Sequence, residues 1–397
     1  MRGKSSGAGV LFALAVAAGA SFAAAVVRAE PGIANDTIRI GMFGPLTGPV
    51  SMYGYPINNG AFAVYKQIND LGGINGRKIE VVMEDDACDP AKARAAAKKL
   101  VDNDNVFMVH GGSCSAAAYA ARSEFIRARV PNVIMAATDD KISAPVNRYI
   151  FTTTLTGSQD GHTMLRFAKS NRAFKRLAVV RHDDDWALSR MNAIREDLKA
   201  GGIELVADEV LNRGASDATA QVLKIKESKP DAIFIIAYPA ESAVFVRDAR
   251  KYTLAGTMIG SAGMMDIMDM AQRAGGADVA EGVYTNAFLR APIDNPDMQP
   301  YADLVRKYFP DTRLQTLNFN GMSGAYAIIA ALKAIGPNPT REAFIDALDK
   351  LKDVDGGPGY CKINLTPDDH QGCHDAHMWM IKDGKVIVVG PTWPGAK

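Results

Sequence analysis

Strand-like and helix-like segments alternate through most of this 397-residue chain. From residue 37 the first segments read TIRIGMFG, NNGAFAVYKQINDLGG, RKIEVVMEDD, DPAKARAAAKKLVD, NVFMVHGG, SAAAYAARSEFIRAR and NVIMAAT. Short β-branched or apolar runs indicate strands, and the longer amphipathic runs between them indicate helices. Asp89 with Pro90 is typical of a helix start. Such a strand–helix series predicts an α/β fold with a parallel sheet covered by helices.

The same rhythm begins again after the segment YIFTTTLT. Strand-like RLAVVRHDDD, IELVADEVL, DAIFIIAY and GVYTNAF alternate with helix-like segments such as SRMNAIREDLKAGG and ESAVFVRDARKYT. Three helical stretches follow residue 290, and the strand-like tail HMWMIKDGKVIVVGP comes after them. We predict two similar α/β units joined by a short Thr-rich hinge. The tail is expected to join the second unit, so that the chain crosses between the units three times.

The first 29 residues have the layout of a secretory signal peptide. Arg2 and Lys4 precede an apolar stretch, and Val27-Arg28-Ala29 offers small residues for cleavage. A membrane anchor is the less favoured alternative because the apolar run is shorter than the ~20 residues that a span needs. Cleavage would remove three of the 45 basic residues and none of the 44 acidic ones, leaving a net charge near −2. This balance does not suggest nucleic acid or an anionic membrane as a partner.

The turn GGSCSAAAY, residues 111–119, combines an apolar run, a set of small residues and a helix start. Ligands of open α/β sheets bind beyond the carboxyl ends of the strands, and this turn is such an end. Ser115 falls at the predicted helix N-terminus, where free N–H groups and the helix dipole attract an anion. The turn therefore predicts a carboxylate site, and a plain N-cap without a ligand is the alternative.

Several stretches together are similar to one known family: IRIGMFGPLTGPVSMYG, INDLGGINGRKIEVVMEDDACDP, the GGSCS turn and IMAATDDKISAP. They resemble the periplasmic binding proteins of branched-chain amino acid (Leu/Ile/Val) ABC transporters. The resemblance implies two doubly wound, Rossmann-like lobes with a ligand cleft and three hinge crossings. It places 30–153 with 286–355 in lobe 1 and 154–285 with 356–397 in lobe 2.

The resemblance also assigns ligand-binding residues. It implies that Ser115 binds the ligand carboxylate and that the Ala-Ala-Thr run supplies backbone groups and a hydroxyl. It implies an aromatic wall in lobe 1 and an aromatic residue of lobe 2 that closes over the ligand, while a third aromatic at a strand terminus is a further lobe-2 contact. Core packing is the alternative for each aromatic. The candidates are Tyr53, Ser115, Ala136, Ala137, Thr138, Trp186 and Tyr238.

Four cysteines in an exported chain suggest disulfides, with free buried thiols as the alternative. Three pairings are open from the spacing alone. The resemblance implies that Cys88 pairs with Cys114 and braces the carboxylate turn. Cys361 and Cys373 would then clip the loop before the tail.

One position departs from the family pattern. Amino-acid binders of the family hold the ligand ammonium with an acid in a Gly-Pro-Glu-Gly-like turn, and Ala262 of IGSAGMM stands there instead. Because a buried ammonium needs a partner, either another acid substitutes or the ligand has no ammonium. Asp184, Asp185 and Glu241 are the alternatives for an amino acid, and an aromatic carboxylate or a small amide is the other ligand class.

No catalytic constellation stands out. His370, His374 and His377 cluster with aspartates in PDDHQGCHDAH, but their spacing is not that of a standard metal site. The chain has no Walker A sequence and no G-x-S-x-G elbow. We expect a monomeric, non-enzymatic periplasmic protein without cofactor or metal, which delivers a small carboxylate, a branched-chain or other hydrophobic amino acid, to an ABC permease. The alternatives are the same fold with an aromatic carboxylate or a small amide as its ligand, and a ligand sensor for a receptor.

Overall fold

A computed structural model describes residues 1, 3, 30–48, 50–170 and 174–394, with side chains given up to residue 390. The predicted signal peptide therefore lies almost entirely outside the described residues. Within the described part, none of the helices combines the length and the apolar character that a membrane span requires.

The described elements follow one another as the alternating pattern predicts. The strands are β1 (Thr37–Gly44), β2 (Lys78–Asp85), β3 (Met108–Gly111), β4 (Asn132–Ile134), β5 (Ile150–Thr152), β6 (Arg176–Arg181), β7 (Glu204–Val210), β8 (Ala232–Ile236), β9 (Thr257–Gly260), β10 (Tyr284–Ala287), β11 (Val354–Asp355), β12 (Lys362–Ile363), β13 (Asp375–Lys382) and β14 (Lys385–Pro394). The α-helices are α1 (Ser51–Asp70), α2 (Pro90–Asp102), α3 (Ser115–Ala128), α4 (Asp140–Ser143), α5 (Gly157–Ser170), α6 (Asp185–Leu198), α7 (Thr219–Glu227), α8 (Pro239–Lys251), α9 (Ile267–Ala274), α10 (Gln299–Tyr308), α11 (Met322–Ala334) and α12 (Arg341–Leu348).

The first sheet has the strand order β2-β1-β3-β4-β5, and all its strands are parallel. Helices α2 and α3 cover one face, and α1, α10, α11 and α12 cover the other. Asp89 caps α2 by accepting from the Lys92 N–H at 2.8 Å, with Pro90 at the first helical position. We call this sheet with its helices lobe 1.

The second sheet has the order β14-β13-β10-β9-β8-β6-β7. Its strands are parallel except at one edge, where β13 runs antiparallel to β10 and β14 antiparallel to β13. Helices α5 and α6 cover one face, and α7, α8 and α9 cover the other. We call this unit lobe 2. The predicted α/β class with two doubly wound units is confirmed, and the tail joins the second unit.

The segments that pass between the sheets meet each other. Thr152, at the end of β5, bridges to Gln371, and Leu289 bridges to Gly359. The disulfide Cys361–Cys373 closes the loop that carries Gln371. Backbone hydrogen bonds hold the third crossing beside the first: the Thr152 N–H donates to the His370 carbonyl at 2.9 Å, and the Gly372 N–H donates to the Thr152 carbonyl at 2.8 Å.

The histidines of the tail segment have structural contacts. His370 stacks on Phe151 with ring centroids 4.0 Å apart, and its Nδ1 bonds the Ile150 carbonyl at 2.9 Å. His377 Nε2 bonds the Leu289 carbonyl at 2.6 Å. In the part of the chain that the structure describes, no His/Cys/Asp/Glu group is placed to hold a metal ion. These histidines fix the crossings to one another.

Candidate functional site

The GGSCS turn lies at the carboxyl end of β3, as predicted. Helix α3 begins at Ser115, and Cys114 is its N-cap without a side-chain cap bond. The expected disulfide joins Cys114 to Cys88, with Cα atoms 5.6 Å apart. A Cβ at Gly111 would lie 2.4 Å from the Phe43 ring. The missing side chain at this position therefore serves packing against β1 rather than the approach of a ligand.

The Ser115 hydroxyl connects two strand ends. Its Oγ accepts hydrogen bonds from the backbone N–H groups of Thr138 at 3.3 Å and Asp139 at 3.2 Å, and the residue is buried. A hydroxyl oxygen has two acceptor positions and one O–H. Because both acceptor positions are filled, Ser115 can offer only its O–H. A ligand atom that contacts this hydroxyl must be an acceptor.

The backbone N–H groups of the Ala-Ala-Thr run all donate within the protein. The N–H groups of Ala136 and Ala137 both donate to the Gly112 carbonyl, at 3.1 and 3.0 Å. These two backbone donors are therefore used inside the turn, and only their carbonyls are left for a ligand. Thr138 Oγ1 accepts from Arg190 Nη2 at 3.0 Å, which leaves the threonine O–H as a donor.

The three predicted aromatic residues form one continuous group across the cleft. Tyr53, in the first turn of α1, packs on Tyr238 with ring centroids 5.5 Å apart. Tyr238, the N-cap of α8, packs on Trp186 at 4.6 Å. Burial raises the pKa of both tyrosines, so the phenols stay neutral. The three rings are tilted by 36–41° against one another and form an aromatic wall.

A buried ion pair, which the sequence patterns do not predict, borders this wall. Arg190 is 1% exposed and Asp160 is fully buried, and Arg190 Nε donates to Asp160 Oδ2 at 2.7 Å. The guanidinium carbon lies 4.0 Å from the Trp186 ring centroid, and Nη1 donates to the Trp186 carbonyl at 2.7 Å. The third hydrogen bond of Arg190 goes to Thr138 in lobe 1. Arg190 therefore joins the aromatic wall to Thr138, whose N–H bonds the Ser115 hydroxyl.

Asp160 lies next to Ala262, the position at which the sequence departs from the family pattern. It accepts from the Ala262 N–H at 3.0 Å and from Asn286 Nδ2 at 2.8 Å, besides the bond from Arg190. Its carboxylate is thus surrounded by donors from three elements of lobe 2. A ligand ammonium would have to share this carboxylate with all three donors.

The three acids predicted as alternative ammonium partners are also engaged. Asp184 caps α6 and pairs with Arg213 at 2.6 Å. Glu241 accepts from the Gly214 N–H at 2.7 Å. Asp185 is exposed and pairs with Lys141 of lobe 1 at 3.2 Å.

The histidine beside the wall is neutral. His182 Nδ1 bonds the Leu211 carbonyl at 2.9 Å, and its Nε2 accepts from the Tyr238 N–H at 3.2 Å. Burial lowers the pKa of His182. The imidazole therefore brings no positive charge to the cleft and fixes the backbone of Tyr238.

The lobes contact each other on both sides of this group. Lys141 pairs with Asp185 on one side, and Thr316 Oγ1 donates to Asp266 Oδ1 at 3.3 Å on the other. The structure therefore represents the closed arrangement of the two lobes.

Comparison with known proteins supports the resemblance. The periplasmic binding protein family matches residues 37–385. The chain belongs to this family. A leucine-, isoleucine-, valine-, threonine- and alanine-binding protein of Pseudomonas aeruginosa is 31% identical over 232 residues, 58% of this chain and 62% of that protein. The Leu/Ile/Val-binding protein BraC3 of Rhizobium johnstonii is 28% identical over 361 residues, 89% of this chain and 94% of that protein.

Solved structures show the same fold with two kinds of ligand. The branched-chain amino acid transporter substrate-binding protein LivJ of Streptococcus pneumoniae, in complex with isoleucine, is 26% identical with a TM-score of 0.77, covering 90% of this chain and all of that chain. An ABC-transporter solute-binding protein of Rhodopseudomonas palustris, in complex with 3,4-dihydroxybenzoic acid, is 26% identical with a TM-score of 0.78. That alignment covers 91% of this chain and 98% of the other.

Proposed function

We propose that this chain is the solute-binding protein of an ABC importer and captures a small carboxylate with an apolar body between its lobes. The Ser115 hydroxyl carries the proposal, because it is buried at the strand ends and can bind only an acceptor. A carboxylate supplies such acceptors at the N-terminus of α3, where the helix dipole adds to the attraction. Tyr53, Trp186 and Tyr238 would cover the apolar body.

The roles of the relatives support the rest of the proposal. They are named as binding proteins for amino acids or as transporter components. We extend this to a monomer that is exported to the periplasm, has no catalytic role, and hands its ligand to permease subunits in the membrane. The lobe boundaries at 153, 285 and 355 are part of the same proposal.

Closure would couple capture to delivery. Contacts between Tyr53 and Tyr238, and between Thr138 and Arg190, exist only when the lobes meet. A ligand that contacts both lobes therefore has a higher affinity for the closed arrangement and shifts the population toward it. The permease would then distinguish loaded from empty protein by the relative position of the lobes.

A ligand screen on the purified, stripped protein tests the proposal. The panel holds leucine, valine, phenylalanine, 4-hydroxybenzoate, p-coumarate and a short amide, and thermal unfolding is measured with each. A true ligand at ~100 times its dissociation constant stabilises the protein by about 2.7 kcal/mol. We expect stabilisation by at least one carboxylate and none by the amide. Stabilisation by the amide alone would refute a carboxylate site.

A further inference from the structure

Arg190 is a lobe-2 group that reaches Thr138 of lobe 1, the residue whose N–H bonds Ser115. It lies on the inward face of α6, one helical turn after Trp186, and is 1% exposed. Its Nη2 donates to Thr138 Oγ1 at 3.0 Å. We infer that Arg190 binds the ligand carboxylate from lobe 2 and selects an aromatic acid without an α-ammonium group. The inference rests on the proposed function, because it assigns the ligand class of the same cleft.

The guanidinium has hydrogen-bonding capacity left for a ligand. An arginine side chain has five N–H donors. Three of them bond Asp160, the Trp186 carbonyl and Thr138. Among the described residues, no acceptor bonds the remaining N–H on each terminal nitrogen. The remaining N–H on each terminal nitrogen can donate a charge-assisted hydrogen bond to a carboxylate oxygen.

The position of Arg190 brings these donors to the predicted anion site. Thr138 is bonded directly by Arg190, and the Thr138 N–H bonds the Ser115 hydroxyl at 3.3 Å. A carboxylate that accepts from the O–H groups of Ser115 and Thr138 is therefore next to the guanidinium. Lobe 1 would supply two neutral donors and lobe 2 the charge. Ligand binding and lobe closure would then depend on the same contact.

The same arginine excludes an ammonium group. The turn that holds Ala262 reads IGSAGMM and offers no acidic side chain of its own. The Ala262 N–H bonds the carboxylate of Asp160, and that carboxylate also bonds Arg190. The positive guanidinium of Arg190 and the Ala262 N–H thus bond the same carboxylate, that of Asp160. An α-ammonium at this place would meet a like charge and an acid that already accepts from three donors.

The wall beside Arg190 fits an aromatic body. Trp186 carries the guanidinium on one part of its surface and contacts Tyr238 with another. Tyr53 faces Tyr238 from lobe 1. A planar ring that replaces the direct contact of these two tyrosines would keep aromatic surfaces on both of its faces.

The test compares a matched pair of ligands on matched variants. The ligands are 4-hydroxybenzoate and 4-hydroxybenzamide, which differ in the charge of one group. The variants are Arg190→Gln, Arg190→Lys and Arg195→Gln, and affinities are measured by calorimetry. Arg195 is the control because it lies on the same helix but pairs with Asp208 at the surface. Asp160→Asn/Arg190→Gln removes both charges of the pair if Arg190→Gln alone fails to fold.

We expect Arg190→Gln to weaken 4-hydroxybenzoate by about 10- to 150-fold, as loss of a hydrogen bond to a charged group does. The amide affinity should stay within about 3-fold, Arg190→Lys should restore part of the loss, and Arg195→Gln should bind as wild type. Equal weakening of acid and amide would overturn the inference, because it would show that Arg190 only supports the fold of lobe 2.

A second comparison tests the ligand class in the wild type. Phenylalanine and 3-phenylpropanoate share a ring and a carboxylate, and only phenylalanine has the ammonium. We expect 3-phenylpropanoate to bind more tightly. Tighter binding of phenylalanine, lost in Glu241→Gln, would transfer the role of ammonium partner to that acid and overturn the selection argument. Neither result would contradict the proposed function, which fails only if no small carboxylate binds.

Discussion

Replacing Ser115 by alanine tests the proposed anion site most directly, because its hydroxyl has one role in the structure and a separate one in the proposal. The oxygen accepts from two buried N–H groups, and the hydrogen remains for the ligand. Loss of the donated bond to a carboxylate should weaken the binding free energy by about 1.5–3 kcal/mol. The dissociation constant would then rise roughly 10- to 150-fold. Calorimetry with the best ligand of the screen measures this change.

The same substitution should lower the stability of the empty protein. The N–H groups of Thr138 and Asp139 would lose their acceptor inside a buried turn, and each buried unpaired donor costs about 1–3 kcal/mol. Some of this cost disappears if water enters. We therefore expect a loss of about 1–3 kcal/mol in urea unfolding of the ligand-free protein.

Ser113 supplies the matched control for this experiment. It lies two residues earlier in the same turn, is also buried, and its hydroxyl has no hydrogen-bond partner within the described residues. Ser113→Ala should leave stability and affinity almost unchanged. If Ser115→Ala keeps the wild-type affinity, Ser115 is not in the site. A loss of affinity confined to Ser113→Ala would move the ligand to the other serine.

Three further perturbations address the supports of the site. Cys88→Ser with Cys114→Ser opens a 26-residue loop and should lower the free energy of unfolding by about 3 kcal/mol in chemical denaturation; an unchanged midpoint would contradict this. Burial raises the pKa of Asp266 to about 6 from 3.8, so its protonated form favours the folded state and stability should fall as pH rises through about 6; stability curves from pH 4 to 8 should lose this slope in Asp266→Asn. Lys141→Ala removes the exposed pair with Asp185 across the lobes, and ligand affinity should change by less than about 5-fold because such pairs contribute about 0–1 kcal/mol; a larger change would give this contact a direct part in closure.

The alternating fold could be predicted from the sequence because parallel strands covered on both faces are almost continuously apolar. Every residue of β8 is buried, and DAIFIIAY has no polar residue between its first and last positions. The cap at Asp89 is equally local, since the carboxylate bonds the backbone three residues later. The sequence pattern could therefore predict features that depend on residues close together in the chain.

Helix α5 is not predicted by the same pattern. Its sequence, GSQDGHTMLRFAKS, contains two glycines, which lower helix propensity. The structure gives a tertiary reason for one of them: a Cβ at Gly161 would lie 2.5 Å from the Arg190 carbonyl. The close approach of α5 to α6 therefore requires glycine at position 161. The same glycine weakens the helix signal in the sequence. This helix carries Asp160, so the acid was missed together with its element.

Arg190 could not be assigned from the sequence for a related reason. A charged residue in an amphipathic helix is ordinarily expected at the surface. Arg190 is buried because its partner Asp160 comes from another helix, 30 residues earlier in the chain. The one local signal is its spacing of four from Trp186, which places both residues on one helix face. That spacing indicates a shared face, but it does not identify Asp160, the carboxylate that offsets the cost of burying the Arg190 charge.

The arrangement of these residues explains how a ligand could control the hinge. The Thr138 carbonyl accepts from the Gly157 N–H at 2.6 Å. Thr138 is therefore bonded to the first residue of α5, directly after the first crossing. One turn later, Asp160 holds Arg190, which returns to Thr138 across the cleft. The hydrogen bonds form a closed path through the hinge and both lobes. A carboxylate placed between Thr138 and Arg190 would strengthen the one step of this path that breaks when the lobes separate, so binding energy would act directly on closure.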